Sequence, residues 1–230
     1  MIVFLDANAY IGAKYIFDGG NFATLKKLID AGKITLLCTS ATQGEVEQHI
    51  KKDISAAILQ YNRVLRNGMP VLSSDPSYNL NGLNENQAVA AVIGKLDPFV
   101  KADGVEQIPL NPLDAEKLLS DYFNQLPPFE SKKPNEFKDA IVINAIKHCQ
   151  STLKKQVCIV SNDAGFRSAF ADDENYKTFP YLSEFLRYYS NSEAELKYLS
   201  AFLSERVDDG EFNDTIEEYL WGFDIDRGQY

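Results

Sequence analysis

Short apolar runs separated by helical segments constrain the fold of this chain more than any other feature. "IVFL" occupies residues 2–5, "ITLLC" residues 34–38 and "VCIVS" residues 157–161, and each has the length of a buried strand. Helical patterns follow the first two runs at about 21–31 and 40–67, the second as one long helix or a pair. This alternation predicts an α/β fold with a parallel sheet of about four to five strands, "KTFPYL" at 177–182 supplying an edge strand.

The middle of the chain and its C-terminal end depart from this rhythm. Residues 69–133 contain helical pieces but little strand pattern, so we interpret them as a helical insertion into a core formed by 1–68 and 134–182. Residues 183–230 hold twelve acids and four bases, and therefore most of the net charge of −10. This segment reads as an acidic helical extension, which either packs its aromatic side chains on the core or serves as an autoinhibitory or protein-docking element.

Composition narrows the cellular setting and the class of metal site. The chain has three cysteines, all in apolar segments, which we interpret as reduced core thiols of a cytoplasmic protein. No basic region precedes the N-terminal apolar stretch, and no run approaches the roughly 18 residues of a membrane span. The two histidines are too few to favour zinc. The acidic balance argues against nonspecific coating of DNA.

Three acids are expected at one edge of the predicted sheet. Asp6 directly follows the strand at 2–5, and Asp163 follows the strand at 157–161. Glu45 lies early in the helix after the strand at 34–38. Sites in parallel α/β sheets form beyond the carboxyl ends of the strands. Each acid alone has an ordinary interpretation, as a turn cap or a solvated helix residue, but their common location favours a shared function.

A fourth acid, Asp139, reaches the same region by a different route. Positions three, four and seven residues after it are Val142, Ile143 and Ile146, the apolar stripe expected to face the sheet. Asp139 therefore points inward, and Glu136 one turn earlier can share that face. Converging carboxylates without a counter-charge would repel each other, and no base in these stretches is obviously placed to neutralise them. Oxygen ligands without His or Cys favour Mg²⁺ or Mn²⁺.

The order of these motifs resembles the PIN-like domain family. The matching stretches are "FLDANAYI", "TSATQGEVEQHI", "NEFKDAIVINAI" and "IVSNDAGF", within about 1–66 and 134–182. The resemblance implies a three-layer α/β/α domain over 1–182 that cleaves single-stranded RNA with one or two Mg²⁺ or Mn²⁺ ions. The stretch between Glu45 and Asp139 is longer than in compact toxin-type members, which favours a larger nuclease subgroup.

The resemblance also implies roles for individual residues. The metal ligands and catalytic residues would be Asp6, Glu45, Asp139 and Asp163, with Glu47 a weaker alternative to Glu45. Asn8, Ser161 and Glu136 would support them by orienting ligands, water or phosphate. Besides nucleic acid, the expected partner is a regulatory protein or a second copy of the chain. No interaction with a membrane is expected.

Substrate-binding candidates are the basic, aromatic and imidazole side chains close to the acids in sequence. Basic side chains would neutralise the phosphate backbone of the substrate. The ring of Tyr10 could stack on a nucleobase, and His49 lies one helical turn after Glu45. For each, an ordinary surface or packing role is the competing interpretation. The candidates are Tyr10, His49, Lys132, Lys133, Lys138 and Arg167.

Three other functions compete with a ribonuclease. The first is a DNA nuclease, including a structure-specific one, although the chain has no strongly basic arm. The second is a non-catalytic interaction module that keeps the fold. The third is an aspartyl phosphatase-like enzyme with a nucleophile at Asp6, which usually requires a second Asp two residues later, where this chain has Asn8.

Overall fold

A five-stranded parallel sheet lies at the centre of the fold. The computed structural model describes residues 1–72, 83–111, 113–129 and 136–207. The strands are β1 (Ile2–Leu5), β2 (Thr35–Cys38), β3 (Val105–Gln107), β4 (Val157–Val160) and β5 (Tyr176–Phe179). Their spatial order is β3-β2-β1-β4-β5, and every neighbouring pair is parallel. The predicted parallel sheet is confirmed.

Helices flank the sheet and complete the predicted α/β/α layering. The helix after β1 begins at its Asp6 cap, and the crossover helices return the chain to the next parallel strand, as such connections require. The helices are α1 (Ala7–Gly12), α2 (Gly20–Asp30), α3 (Ser40–Leu72), α4 (Glu85–Leu96), α5 (Ala115–Phe123), α6 (Phe137–Leu153), α7 (Ala164–Ser168) and α8 (Leu182–Val207). The segment predicted as one helix or a pair is thus a single helix, α3.

The central position of β1 follows from its apolar sequence. Phe4 pairs with Leu37 of β2 and with Ile159 of β4, and all three side chains are fully buried. A strand covered by helices on both faces requires a continuous apolar run rather than alternation. The carboxyl end of β1 therefore lies between the carboxyl ends of β2 and β4.

Helix α6 packs on the sheet through the stripe that its sequence predicts. Val142, Ile143 and Ile146 are buried in one cluster with Phe4 and Ile159. Full burial of such a side chain stabilises the folded state by about 1.5–3 kcal/mol. This packing fixes the rotation of α6, and with it the direction of Asp139 in the first helical turn.

The sequence did not predict strand β3, which lies within the segment interpreted as a helical insertion. Val105–Gln107 pairs in parallel with β2, and two of its three residues are exposed. Just before it, Gly104 has φ of +85° and approaches α2 so closely that a Cβ atom would lie 2.8 Å from the Ile29 side chain. A three-residue edge strand with little apolar character carries no strong sequence signal.

Helix α3 is capped by the residue that follows β2. The hydroxyl of Thr39 accepts a hydrogen bond from Thr42 N at 3.0 Å. Thr39 is fully buried and immediately follows β2. The cap therefore anchors the start of α3, and so the backbone of Glu45, to the same sheet edge.

The chain divides into two units, residues 1–185 and 186–230. The sheet belongs to the first unit, and the described part of the second is the remainder of α8. All three cysteines are free, Cys38 and Cys158 being buried and Cys149 half-buried. Within the described residues no helix combines the length and apolar character that a bilayer crossing demands.

Candidate functional site

Asp6 is the most deeply buried acid at the carboxyl edge of the sheet, with 9% of its surface exposed. Its backbone continues β1, since Asp6 N donates to Val160 O at 2.9 Å. One carboxylate oxygen, Oδ1, accepts a bond from Ala7 N at 2.7 Å and caps α1. The other, Oδ2, accepts a bond from the Ser161 hydroxyl at 2.8 Å. The turn-cap interpretation of Asp6 is therefore correct for one oxygen, and the second is bound to the end of β4.

Asn8 and Ser161 join the ends of β1 and β4. The Asn8 amide donates to the Asp6 carboxylate and to Ser161 Oγ, the latter at 3.1 Å, and its Oδ1 accepts a bond from Asn162 N at 3.0 Å. Ser161 Oγ also accepts a bond from Asp163 N at 3.1 Å. The two polar residues predicted to support the acids thus hold the chain segments of Asp6 and Asp163 together.

Glu45 and Asp139 lie on either side of one ammonium group. Lys138 Nζ is 2.5 Å from Glu45 Oε1 and 3.6 Å from Asp139 Oδ1. The side chains of Glu45 and Asp139 are 26% and 16% exposed, whereas that of Lys138 is 49% exposed. The expectation that no base neutralises the acids was wrong for this pair, because the first turn of α6 directs Lys138 toward α3.

The buried acids resist ionisation. Burial raises the pKa of Asp6 to about 6 even though the bonds from Ser161 and Ala7 N lower it, and the charge of Glu45 raises it further. Burial is also the main cause that raises the pKa of Asp139 to about 7, and the charges of Asp6 and Glu136 act in the same direction against Lys138. These mutual effects show that Asp6, Glu45 and Asp139 lie within electrostatic reach of one another.

Lys138 responds to the same cluster with the opposite sign. Burial disfavours its charged form, but the hydrogen bond to Glu45 and the charges of Glu45, Asp139 and Asp6 together raise its pKa. Lys138 therefore stays protonated and acts as the counter-charge of the cluster. An ammonium at this position shows that the acids accommodate a cation between α3 and α6.

Asp163 has a structural role in addition to its place at the edge. Its Oδ1 accepts bonds from Gly165 N at 2.7 Å and Phe166 N at 3.1 Å, and so caps α7. The alternative of a turn residue is thus also correct, and the Ser161 hydroxyl links Asp163 to Asp6.

The donor set fits a hard divalent cation in its chemistry, since every candidate ligand is a carboxylate oxygen. In the described part of the chain, however, no three Asp, Glu, His or Cys side chains converge as a ready metal group. The ammonium of Lys138 lies between two of the acids instead. A bound ion would add to the single positive charge that Lys138 supplies to these carboxylates.

The remaining predicted residues divide into those near the acids and those turned away. Glu136 occupies the N-cap position of α6, and its proximity raises the pKa of Asp139. His49 is half-buried one turn after Glu45, and Glu47 is turned to Gln43, whose Nε2 donates to it at 2.8 Å. Glu47 is thus engaged within its own helix and not with the acids.

One substrate-binding prediction is wrong, and a second predicted residue has a structural contact. Tyr10 is 1% exposed and packs against Phe17 and Phe22, so its ring belongs to the core and is not open for stacking. Arg167 is half-buried and its Nη1 donates to Ser161 O at 2.7 Å, so it braces the turn after β4. Tyr10 is thus held by core packing, and Arg167 by a hydrogen bond to the backbone that follows β4.

Two predicted lysines and two residues that the sequence did not predict remain to be described. Lys132 and Lys133 lie outside the described residues. Sequence reasoning missed Asn162 and Tyr181, which line a cleft beside Asn8. The position of Asn162 between Ser161 and Asp163 was a usable signal, whereas Tyr181 has none, because it reaches this region only through the fold.

Comparison with known proteins identifies the family. Neither a search of the curated proteins nor one of the solved structures returned a match to this chain. The family model of the PIN domain matches residues 3–166, which include Asp6, Glu45, Asp139 and Asp163. The match covers well over half of the chain and agrees with the parallel sheet and its acidic edge, so the chain belongs to the PIN domain family, whose members are generally nucleases.

Proposed function

We propose that this protein is a metal-dependent endoribonuclease that hydrolyses phosphodiester bonds of single-stranded RNA. The observation that carries the proposal is the assembly of acids from separate parts of the chain at one sheet edge, within the region that matches the PIN domain. Asp6, Glu45, Asp139 and Asp163 are the proposed catalytic and metal-binding residues. Mg²⁺ or Mn²⁺ is the proposed cofactor.

The buried carboxylates support a cation between them. A carboxylate as buried as Asp6 loses the solvation of its charged form, which is why its pKa is raised to about 6. Lys138 supplies only one positive charge, and it contacts Glu45 and Asp139 rather than Asp6. A second positive charge near Asp6 would favour ionisation of the whole set. When bound, a divalent ion lowers the pKa of a water ligand and stabilises charge on the phosphate.

The residues of the chain would prepare this site in three ways. Ser161 and Asn8 hold the Asp6 carboxylate in one orientation through bonds to Oδ2. Asp163 would present its carboxylate from the start of α7, which its own capping bonds hold in place. Lys138 would leave Glu45 and Asp139 for an incoming phosphate, since half of its side chain is already exposed. The phosphodiester would thus contact the Lys138 ammonium beside the acidic residues.

The decisive experiment compares cleavage of labelled single-stranded RNA and DNA of the same sequence in Mn²⁺, in Mg²⁺ and in excess EDTA. We expect RNA cleavage with metal and none with EDTA. Asp139→Asn and Asp163→Asn should reduce cleavage by two orders of magnitude or more, since each would remove a ligand charge while keeping the shape. Asp30→Asn is the matched control, because Asp30 is an exposed acid at the end of α2 that pairs with Lys26.

The alternatives give different outcomes in the same assay. Preferential cleavage of DNA would favour the DNA nuclease. Absence of cleavage with both substrates and metals, together with a folded protein whose cellular effect survives Asp6→Asn, would favour a non-catalytic module. Full activity in Asp139→Asn and Asp163→Asn would place the catalytic site elsewhere in the chain.

A further inference from the structure

A cleft of about 450 Å³ lies beside the acidic edge of the sheet. Two of the residues that line it, Asn8 and Asn162, are hydrogen-bonded to each other, and Asn8 also donates to the Asp6 carboxylate. The rest of the lining comes from α1, the connection between α1 and α2, the start of α2, the connection between β5 and α8, and the start of α8. The cleft and the acids are therefore parts of one continuous surface.

The lining of this cleft is uncharged and combines polar side chains with apolar ones. None of the described residues that line it is Asp, Glu, Lys, Arg or His, although the chain has a net charge of −10. An exposed phenol ring, that of Tyr181 at 60% exposure, lies at the cleft together with the amide of Asn21 and the aliphatic side chain of Ile16. Such a lining does not suit a phosphate or a cation. It suits a planar, uncharged group with hydrogen-bonding edges.

We propose that this base cleft binds an unpaired nucleobase of the strand whose phosphodiester lies at the acids, an inference that rests on the proposed function. Aromatic side chains stack on unpaired bases, and amide side chains bond to their exposed edges. The volume falls within the range of small-molecule sites. A paired base is already stacked and bonded, so the base cleft would select single strands and set the base beside the cleaved bond.

Two residues allow the cleft to be altered without disturbing the fold. The backbone oxygen of Tyr181 accepts bonds from Glu184 N at 3.1 Å and Phe185 N at 3.3 Å, and these remain when its ring is removed. A Cβ atom built on Gly12, the last residue of α1, meets no atom within 4 Å. A leucine there would project into open space at the cleft. Gly94 in α4 is equally open and does not line the cleft, so Gly94→Leu is the matched control.

The test uses the full-length chain without metal and the four ribonucleosides, which are uncharged and so are not repelled by the acids. Binding is followed by NMR through the backbone amide signals, with ribose alone as the reference ligand. We expect at least one nucleoside to shift signals at the base cleft, Asn162 and Tyr181 included, and ribose to leave them in place. Tyr181→Ala should weaken that binding about fivefold or more. Gly12→Leu should abolish it, and Gly94→Leu should not change it.

Several results would overturn the proposal. These are the absence of shifts up to the solubility limit of every nucleoside, equal shifts with ribose, or unchanged binding in Gly12→Leu. A second measurement separates this proposal from the proposed function. Cleavage of RNA that is insensitive to abasic substitution on both sides of the cleaved bond would refute the base cleft alone. Nucleoside binding at the cleft without cleavage of any oligonucleotide would refute the ribonuclease alone.

Discussion

Raising the pH of the metal-free protein should destabilise it through Asp6, and Asp6→Asn should remove that part of the pH dependence. The pKa of Asp6 rises from its ordinary value of 3.8 to about 6 in the folded state. The folded state therefore keeps a proton that the unfolded chain has already released. Its contribution to stability is complete below about pH 4 and is lost as the pH rises through 6.

The size of the effect follows from the shift. Each pKa unit corresponds to about 1.4 kcal/mol, so the whole shift of this deeply buried group amounts to about 3 kcal/mol. Of this, about 2 kcal/mol remains to be lost between roughly pH 4.5 and pH 7. For a chain of this length, that difference lowers the melting temperature by roughly 4–8 °C. Asp139, whose pKa is raised to about 7, adds a loss of the same sign.

The assay is thermal unfolding of the wild type and Asp6→Asn in excess EDTA, at about pH 4.5 and about pH 7. Unfolding is monitored by circular dichroism. Other titrating groups contribute to both proteins, so the quantity of interest is the difference between the two pH-dependent changes. We expect the wild type to lose more stability than the variant by about 2 kcal/mol. Asp30→Asn, a change of an exposed acid, should behave as the wild type does.

Metal provides the second half of this test. At pH 7, Mn²⁺ at about 100 times its dissociation constant should stabilise the wild type by about 2.7 kcal/mol, and Asp6→Asn should gain less. Identical pH-dependent changes in the wild type and Asp6→Asn would refute the reasoning, because the Asp6 carboxyl would then titrate alike in the folded and unfolded chains.

Three further predictions concern the contacts around the acids. Lys138→Gln should tighten Mn²⁺ binding by about 1.5-fold to fivefold in calorimetry, the worth of a half-exposed ion pair, and weaker binding than in wild type or in the control Lys26→Gln would contradict this. Ser161→Ala should lower the free energy of unfolding in urea by about 1–3 kcal/mol, because the buried Ser161 hydroxyl bonds to both Asp6 and Asp163 N. A decrease of less than about 0.5 kcal/mol would argue against that network. Asp163→Ala should cost about 0.5–2 kcal/mol through loss of the α7 cap, and Asp163→Asn clearly less, since an amide oxygen still accepts; equal losses would exclude the cap as the cause.

The amino-acid sequence by itself determined the framework of this protein. The runs at 2–5, 34–38 and 157–161 are apolar throughout, and a strand of that kind is stable only between two layers of helix. Their parallel pairing brings every carboxyl end to one edge, which is why Asp6 and Asp163 could be assigned to a common region. The helical period did the same for Asp139.

The tertiary structure alone decided the partners of these side chains. β3 is a strand because β2 offers a free edge, and its own sequence is too short and polar to say so. Lys138 lies between Glu45 and Asp139 because α3 and α6 approach each other there, and Tyr10 is buried because α1 lies over Phe22. The base cleft joins residues as distant in sequence as Gly12 and Tyr181. Local periodicity fixes which face of an element is apolar, but only the packing of elements distant along the chain fixes what that face and its polar neighbours meet.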